Sequence, residues 1–381
     1  MRVLMISPKF HPVIGGGETY VLNLMNRLHA AGVDVAIAVE PHPERQLADY
    51  PYPVFEVAGL SDNNMQLIEA VGNMYALLEK FAPDLIHVHG YFALLVVGLT
   101  NSRQRPLIAT IHSTPVWGER VVGGMGSFQA ELQFARQVLE LARPQRLTAA
   151  NEVYASVAKR IAGDRSKVVA APYPVDIDLF HNEQDTGFRK VFGLGQNDKL
   201  IMTPSRVIER KGIREIIGAL EQLPENFYLC LPGAFEPLDE DYWQKIQKSK
   251  VYQKIKHRII VPERKLLYED MPQLYAASDI IAMPSYYEGA PVATVEAMAS
   301  GKPFVGADSQ GINSFIMHQQ NGLLVPKQSI NELAEAILSL TADPDLQVRL
   351  TRQAYQDILH LSWTLQLDDL LELYREVLAD K

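Results

Sequence analysis

The chain has 381 residues, 47% hydrophobic and 21% charged, with a formal net charge of −9. That length accommodates two ordinary domains, and the acidity argues against nucleic-acid binding driven by bulk electrostatics. A single cysteine, Cys230, leaves no intrachain disulfide and suits a reducing cytoplasm, no signal-peptide pattern opens the chain, and no apolar run is long enough to span a bilayer.

In chain order, residues 3–7, 33–39, 85–88 and 107–111 read as short buried strands. Helical stretches at 18–31 and 64–81 lie between them. Near-continuous apolar strands separated by helices predict a parallel sheet covered on both faces. Prolines and glycines with scattered charges across 173–195 then predict a linker. A second strand series follows at 200–203, 228–231, 259–261, 280–283, 304–305 and 323–325, and an amphipathic helix covers 363–378. The expected organisation is a Rossmann-like domain at 1–172, a second at 196–361, and a closing segment at 362–381. Helix 64–81 has little basic face, so membrane anchoring is not expected.

Three motifs fall at strand ends, where open α/β sheets bind ligands. Gly15, Gly16 and Gly17 follow strand one and open a helix. They read as a flexible turn or as an anion site with close backbone approach. A dinucleotide fingerprint is a rival, because Glu40 closes strand two; its third glycine would fall at Tyr20. Arg206 and Lys211 follow the strand at 200–203 and read as a solvated loop or a diphosphate clamp. Glu288 precedes Gly289, Ala290, Pro291 and Val292 at a helix start, with Glu296 inside that helix. The two acids read as solvated charges or as arms holding a hydroxyl-rich ligand. Asp-x-Asp matches at 176–178, 239–241 and 343–345 lie in linker or helix-flanking segments and read as structural, so no metal site is expected.

The run from Pro284 through Glu288 and Glu296 to Pro303 resembles the Glu-x7-Glu signature of retaining GT-B glycosyltransferases of family four, the glycosyl transferases group 1. The likeness spans essentially the whole chain, including Pro83–His89, residues 110–112, the 174–180 segment, Arg206-x4-Lys211, 274–279, Asn321–Val325 and Ser362-Trp363. It implies an α/β GT-B architecture: two Rossmann-like domains facing across a cleft, with the final helix crossing back to the first. It implies transfer of a sugar from a nucleoside-diphosphate donor, UDP-linked by family weight, to a hydroxyl acceptor, with retention, front-side attack and no cofactor. The nucleotide sugar is then a substrate.

Residue by residue, the resemblance gives Arg206 and Lys211 to the donor diphosphate, with the amides of Gly15, Gly16 and Gly17 near it. Glu288 takes sugar hydroxyls, Glu296 the ribose, and the base lies near Val261 and Arg264. His112 orients the sugar or relays a proton. His89, Tyr91 and Trp117 are candidates for the acceptor side, and the glycine-rich run at 122–126 reads as an acceptor loop or a connection. Two departures stand out: Ser314 replaces a customary acid near the donor sugar, and Pro172-Tyr173-Pro174 replaces the usual linker motif. A GT-B epimerase or phosphorylase, or a non-catalytic nucleotide-sugar-binding protein, are the alternatives. The acceptor and the oligomeric state are not legible.

Overall fold

The computed structural model describes residues 1–13, 15–61, 66–112, 125–164, 167–182, 184, 185, 187–289 and 291–380. They divide into two units, Met1–Pro174 with Thr364–Lys381, and Val175–Trp363.

Unit 1 is built on β1 (Arg2–Ile6), β2 (Asp34–Val39), β3 (Val54–Glu56), β4 (Leu85–His89), β5 (Leu107–Ile111), β6 (Arg146–Ala149) and β7 (Val168–Ala170). They form one parallel sheet in the order β3-β2-β1-β4-β5-β6-β7. Helices α1 (Gly16–Ala30), α2 (Leu67–Phe81), α3 (Tyr91–Thr100), α4 (Met125–Ala142) and α5 (Glu152–Ile161) connect the strands. Strands β1, β4 and β5 carry buried residues on both sides, so each needs apolar or internally paired side chains throughout. Strand order reverses between β1 and β4. Crossovers leave in opposite directions there, which opens a crevice at the carboxyl ends of those strands.

Unit 2 repeats the plan. Its strands are β8 (Lys199–Met202), β9 (Phe227–Cys230), β10 (Ile259–Ile260), β11 (Ile280–Met283), β12 (Phe304–Ala307) and β13 (Leu323–Val325), ordered β10-β9-β8-β11-β12-β13 and all parallel. Its helices are α6 (Ile177–Asn182), α7 (Phe188–Val191), α8 (Ile213–Gln222), α9 (Glu240–Gln247), α10 (Lys250–Ile255), α11 (Met271–Ala277), α12 (Val292–Ala299), α13 (Ile330–Ala342) and α14 (Pro344–Asp357). Alternation along β8 and β11 divides two cores: Ile201, Ile280 and Ala282 enter one, and Leu200, Met202, Ile281 and Met283 the other. Here the order reverses between β8 and β11.

The last helix, α15 (Trp363–Ala379), belongs to unit 1 from Thr364 onward. Tyr374 and Val377 are buried there, and the Tyr374 hydroxyl meets His87 Nδ1 at 2.6 Å. No described helix is long and apolar enough to cross a membrane.

Several expectations needed correction. The segment 173–195 is not an open linker beyond Pro174. Val175, Ile177 and Phe180 are buried in a core of unit 2, and the Val175 N–H donates to Leu361 O at 2.9 Å. The spacing of these apolar residues outweighs the prolines around them. Strands β3, β6 and β7 were not expected; Glu56 closes β3, and Arg146 and Thr148 interrupt β6, so those two carry no continuous apolar run. The helix expected at 64–81 begins at Leu67, and position 64 lies outside the described residues.

Arg258 shows how polar demand is met inside unit 2. It is fully buried, and its guanidinium donates to Leu220 O at 2.9 Å, Leu223 O at 3.1 Å and Pro224 O at 2.9 Å. Leu220 O, in the last turn of α8, also accepts from the Leu223 N–H at 3.2 Å, and Pro224 O, beyond the helix, from the Phe227 N–H at 3.0 Å, so the guanidinium adds a second donor to each. Arg258→Met should lower the unfolding free energy by about 2–3 kcal/mol through loss of the charge-assisted hydrogen bonds to these carbonyls. Denaturant midpoints measure this, and a loss under about 1 kcal/mol would show that water satisfies them instead.

Candidate functional site

The reversal between β8 and β11 brings two loops together. After β8 the chain runs through Thr203, Ser205 and Arg206 to a tight turn at Glu209–Lys211, and α8 then begins. After β11 it runs through Pro284 to Glu288. Gly212 joins them: its φ is +68°, and any Cβ would collide with the Pro284 carbonyl. Only glycine meets both demands. The Tyr286 N–H donates to Arg210 O at 2.8 Å and the Arg210 side chain donates from Nη1 to Tyr287 O at 3.1 Å, which stitches the two loops together.

Glu288 is the centre of this junction. Only 7% of the residue is exposed. Lys211 Nζ donates to its Oε1 at 2.5 Å and Arg210 Nη1 to its Oε2 at 3.2 Å. Burial pushes the carboxyl up, but the charges of Lys211 and Arg210 outweigh it, so Glu288 stays below the ordinary carboxylate range. Burial lowers the Lys211 ammonium, with Glu288 partly restoring it. The result is a buried acid with two cations held at a strand end. Behind it, the Glu288 N–H donates to Gln310 O at 2.8 Å, and Gly311, at φ +90°, lies so close to the Glu288 backbone that a Cβ would not fit. The loop expected to be altered by Ser314 therefore meets Glu288 through the backbone of 310–311. Ser314 itself is exposed.

Arg206 is exposed and makes no ion pair among the described residues. Its backbone passes so close to Gly233 that a side chain there would collide with Ser205 and Arg206. The hydroxyls of Thr203, Ser205 and Ser309, which follow β8 and β12, are buried and have no partner among the described residues. Buried hydroxyls without partners are costly, and each of these lies within three residues of the carboxyl end of a strand.

Glu296 lies one turn into α12, also 7% exposed. Its Oε2 accepts from Tyr275 OH at 3.0 Å. Burial pushes its carboxyl up to about 7, and the Tyr275 hydrogen bond only partly opposes this. The two acids of the signature are thus shifted in opposite directions. Pro291 is buried ahead of α12, Val292 begins it, and Gly289 lies in the loop before; Ala290 lies outside the described residues.

Other expected donor residues are placed elsewhere. Val261 follows β10, two strands from β8, and packs on the core. The exposed Arg264 forms a bidentate pair with Asp270 at 2.6 and 2.7 Å, which commits its guanidinium. In unit 1, α1 begins at Gly16 with Gly15 before it and Gly17 after. The Glu18 carboxylate lies over Gly15, so this helix start already faces an acid of the chain itself. Glu40 accepts from Gly59 N at 3.2 Å and Ser61 N at 2.7 Å; it caps a loop, which removes the support for a dinucleotide fingerprint. The first aspartate of each Asp-x-Asp match binds a backbone N–H three residues on: Asp176 at 3.3 Å, Asp239 at 2.9 Å and Asp343 at 2.9 Å.

At the β1/β4 reversal of unit 1 lies an open pocket of about 380 Å³, lined among others by Ser7, Glu18, Ser61, His89, Tyr91 and His112. The buried Tyr91 hydroxyl has no partner among the described residues. His89 Nδ1 and His112 Nε2 lie 2.5 Å apart, and His112 Nδ1 meets the Tyr173 hydroxyl. Burial lowers His89 well below its ordinary value and His112 to about 4, so both are neutral at pH 7. Trp117 and positions 122–124 lie outside the described residues; Met125 and Gly126 begin α4. Arg210 was missed by the sequence reading. Its one signal was its place beside Lys211 in a turn already read as basic.

Solved structures with the same architecture include sucrose-phosphate synthase from Thermosynechococcus elongatus, at a TM-score of 0.85 and 22% identity over 100% of both chains. Anabaena HepE in complex with UDP-glucose matches at 0.81 and 19% identity over 99% of this chain and 100% of that one. The fold is GT-B. The Glycosyltransferase Family 4 model matches residues 14–179, and the Glycosyl transferases group 1 model residues 184–357. D-inositol 3-phosphate glycosyltransferase of Corynebacterium glutamicum is 24% identical over 100% of this chain and 98% of its own. An uncharacterized glycosyltransferase of Methanocaldococcus jannaschii is 24% identical over 94% and 93%. The chain belongs to the group 1, family 4 glycosyltransferases.

The raised Glu296 carboxyl has a thermodynamic consequence. A carboxyl near 4.5 in the unfolded chain and about 7 in the fold favours folding fully only while it is neutral. That contribution is complete below the unfolded value and is lost as pH rises through about 7. Relative to Glu296→Gln, the protein should lose about 3 kcal/mol across this window. Unfolding of both proteins across pH measures the difference. Parallel stability curves would contradict a buried, raised acid.

Proposed function

We propose that this glycosyltransferase moves a sugar from a UDP-linked donor to a hydroxyl acceptor, with retention and without a metal. The observation that carries the reading is Glu288, buried and ionised between Lys211 and Arg210 at the β8/β11 reversal. Each carboxylate oxygen keeps lone pairs beyond those used by the cations, so it can accept sugar hydroxyls. Arg206 and Lys211 are assigned to the diphosphate. Arg206 has its fork of donors uncommitted to a carboxylate, and Lys211 has N–H groups beyond the one given to Glu288. Glu296 is assigned to the ribose hydroxyls and Gly311 to the wall behind the sugar. The UDP choice is supported by Anabaena HepE, which was solved with UDP and with UDP-glucose.

As the bond from the anomeric carbon to the phosphate oxygen breaks, negative charge grows on the β-phosphate. Fixed cations gain most at that moment, which is what raises the rate. The acceptor oxygen bonds the same face of the anomeric carbon, and its proton passes to the departing phosphate oxygen. No carboxylate is required as a nucleophile. Unit 1 is assigned the acceptor, with the pocket at the β1/β4 reversal as its site and His112 as the group that orients the sugar or relays a proton.

A thermal-shift series with UDP-, GDP- and ADP-sugars tests the donor, since ligand that binds only the native state raises its melting temperature. A UDP-sugar should give the largest rise. Lys211→Ala should then cut turnover by about 10²–10³-fold, with the product anomer of the native enzyme read by proton NMR. Turnover within about threefold of the native rate would reject the cationic clamp, and an inverted product would reject retention.

A further inference from the structure

The histidines at the carboxyl ends of β4 and β5 form a chain of hydrogen bonds whose direction can be worked out. His89 Nε2 lies 2.8 Å from Met5 Sδ, His89 Nδ1 lies 2.5 Å from His112 Nε2, and His112 Nδ1 meets the Tyr173 hydroxyl. The two rings stack, with centroids 4.7 Å apart. A neutral imidazole has one N–H and one lone pair, and a thioether sulfur has lone pairs only. Met5 can therefore only accept. That places the proton of His89 on Nε2 and leaves its Nδ1 as an acceptor. His112 must then donate from Nε2, its Nδ1 must accept, and the Tyr173 hydroxyl must donate. Burial keeps both rings neutral, as this logic requires.

The neighbouring His87 makes an instructive contrast. It bonds the Tyr374 hydroxyl through Nδ1 and the Thr110 hydroxyl through Nε2, each at 2.6 Å. Hydroxyls donate or accept, so nothing there selects a tautomer. Met5 is the one-way end that the other chain possesses.

We propose that Met5 fixes the direction of a relay running from Tyr173 through His112 and His89, making Met5 and His89 positioning residues that hold His112 as its Nε2–H tautomer, with the Tyr173 hydroxyl donating to its Nδ1. His112 then has no free N–H to offer. A substrate hydroxyl that meets this ring takes the place of Tyr173 at Nδ1 and donates to it. The functional meaning rests on the reading of His112 given above. The tautomer itself does not.

The test is long-range proton–nitrogen correlation of the imidazole rings in the full chain at neutral pH, with resonances assigned through His89→Gln and His112→Gln. Both His89 and His112 should show a single tautomer protonated at Nε2. Tyr173→Phe should keep that pattern, because the sulfur end is intact. Met5→Leu should replace it at both rings with the averaged pattern of exchanging tautomers. A proton on His112 Nδ1 in the native chain would overturn the proposal. So would a switch on Tyr173→Phe with none on Met5→Leu, since direction would then be set from the phenol end. No substrate enters the measurement, so its failure and a failure of the glycosyl-transfer reading are separately visible.

Discussion

A carboxylate cannot be buried alone, and the strand-end junction of unit 2 is organised around that fact. Glu288 leaves water only because Lys211 and Arg210 enter with it. The cations in turn reach it only because Gly212 lets the β8 loop lie against Pro284, and the acid is seated only because Gly311 lets a third loop close behind it. Five residues from three loops thus share one electrostatic requirement. The strand order decides where this takes place, since the reversal between β8 and β11 is where neighbouring loops part and leave room.

The two glutamates of the signature answer burial in different ways. Glu288 stays ionised through its cations, whereas Glu296, with only a phenol for company, is pushed to about 7. Equal exposure therefore does not mean equal charge. A hydroxyl donor at Glu296 would favour its charged form, whereas the charge of Glu288 is already balanced by its cations.

Much of this was legible in the sequence because it depends on local chemistry. The alternation of buried strands and helices gives the parallel sheets, and the placement of Lys211 and Glu288 after strands gives the site. What was not legible depends on partners distant along the chain. Arg210 matters through an acid 78 residues away, and nothing beside it announces that. The segment after Pro174 looked like a linker because prolines and glycines are visible, whereas the cavity that receives Phe180 is not. Arg264 looked available until Asp270 was seen to hold it. The strands β3 and β6 escaped because Glu56, Arg146 and Thr148 break their apolar runs.

The return of α15 to unit 1 bears on the order of events at the ribosome. Tyr374 and Val377 complete a core whose other members are made first, and the Tyr374 hydroxyl bonds a histidine 287 residues earlier. Unit 2 has all its strands before that helix emerges. Those two positions of the unit 1 core are therefore filled only after every strand of unit 2 has been synthesised.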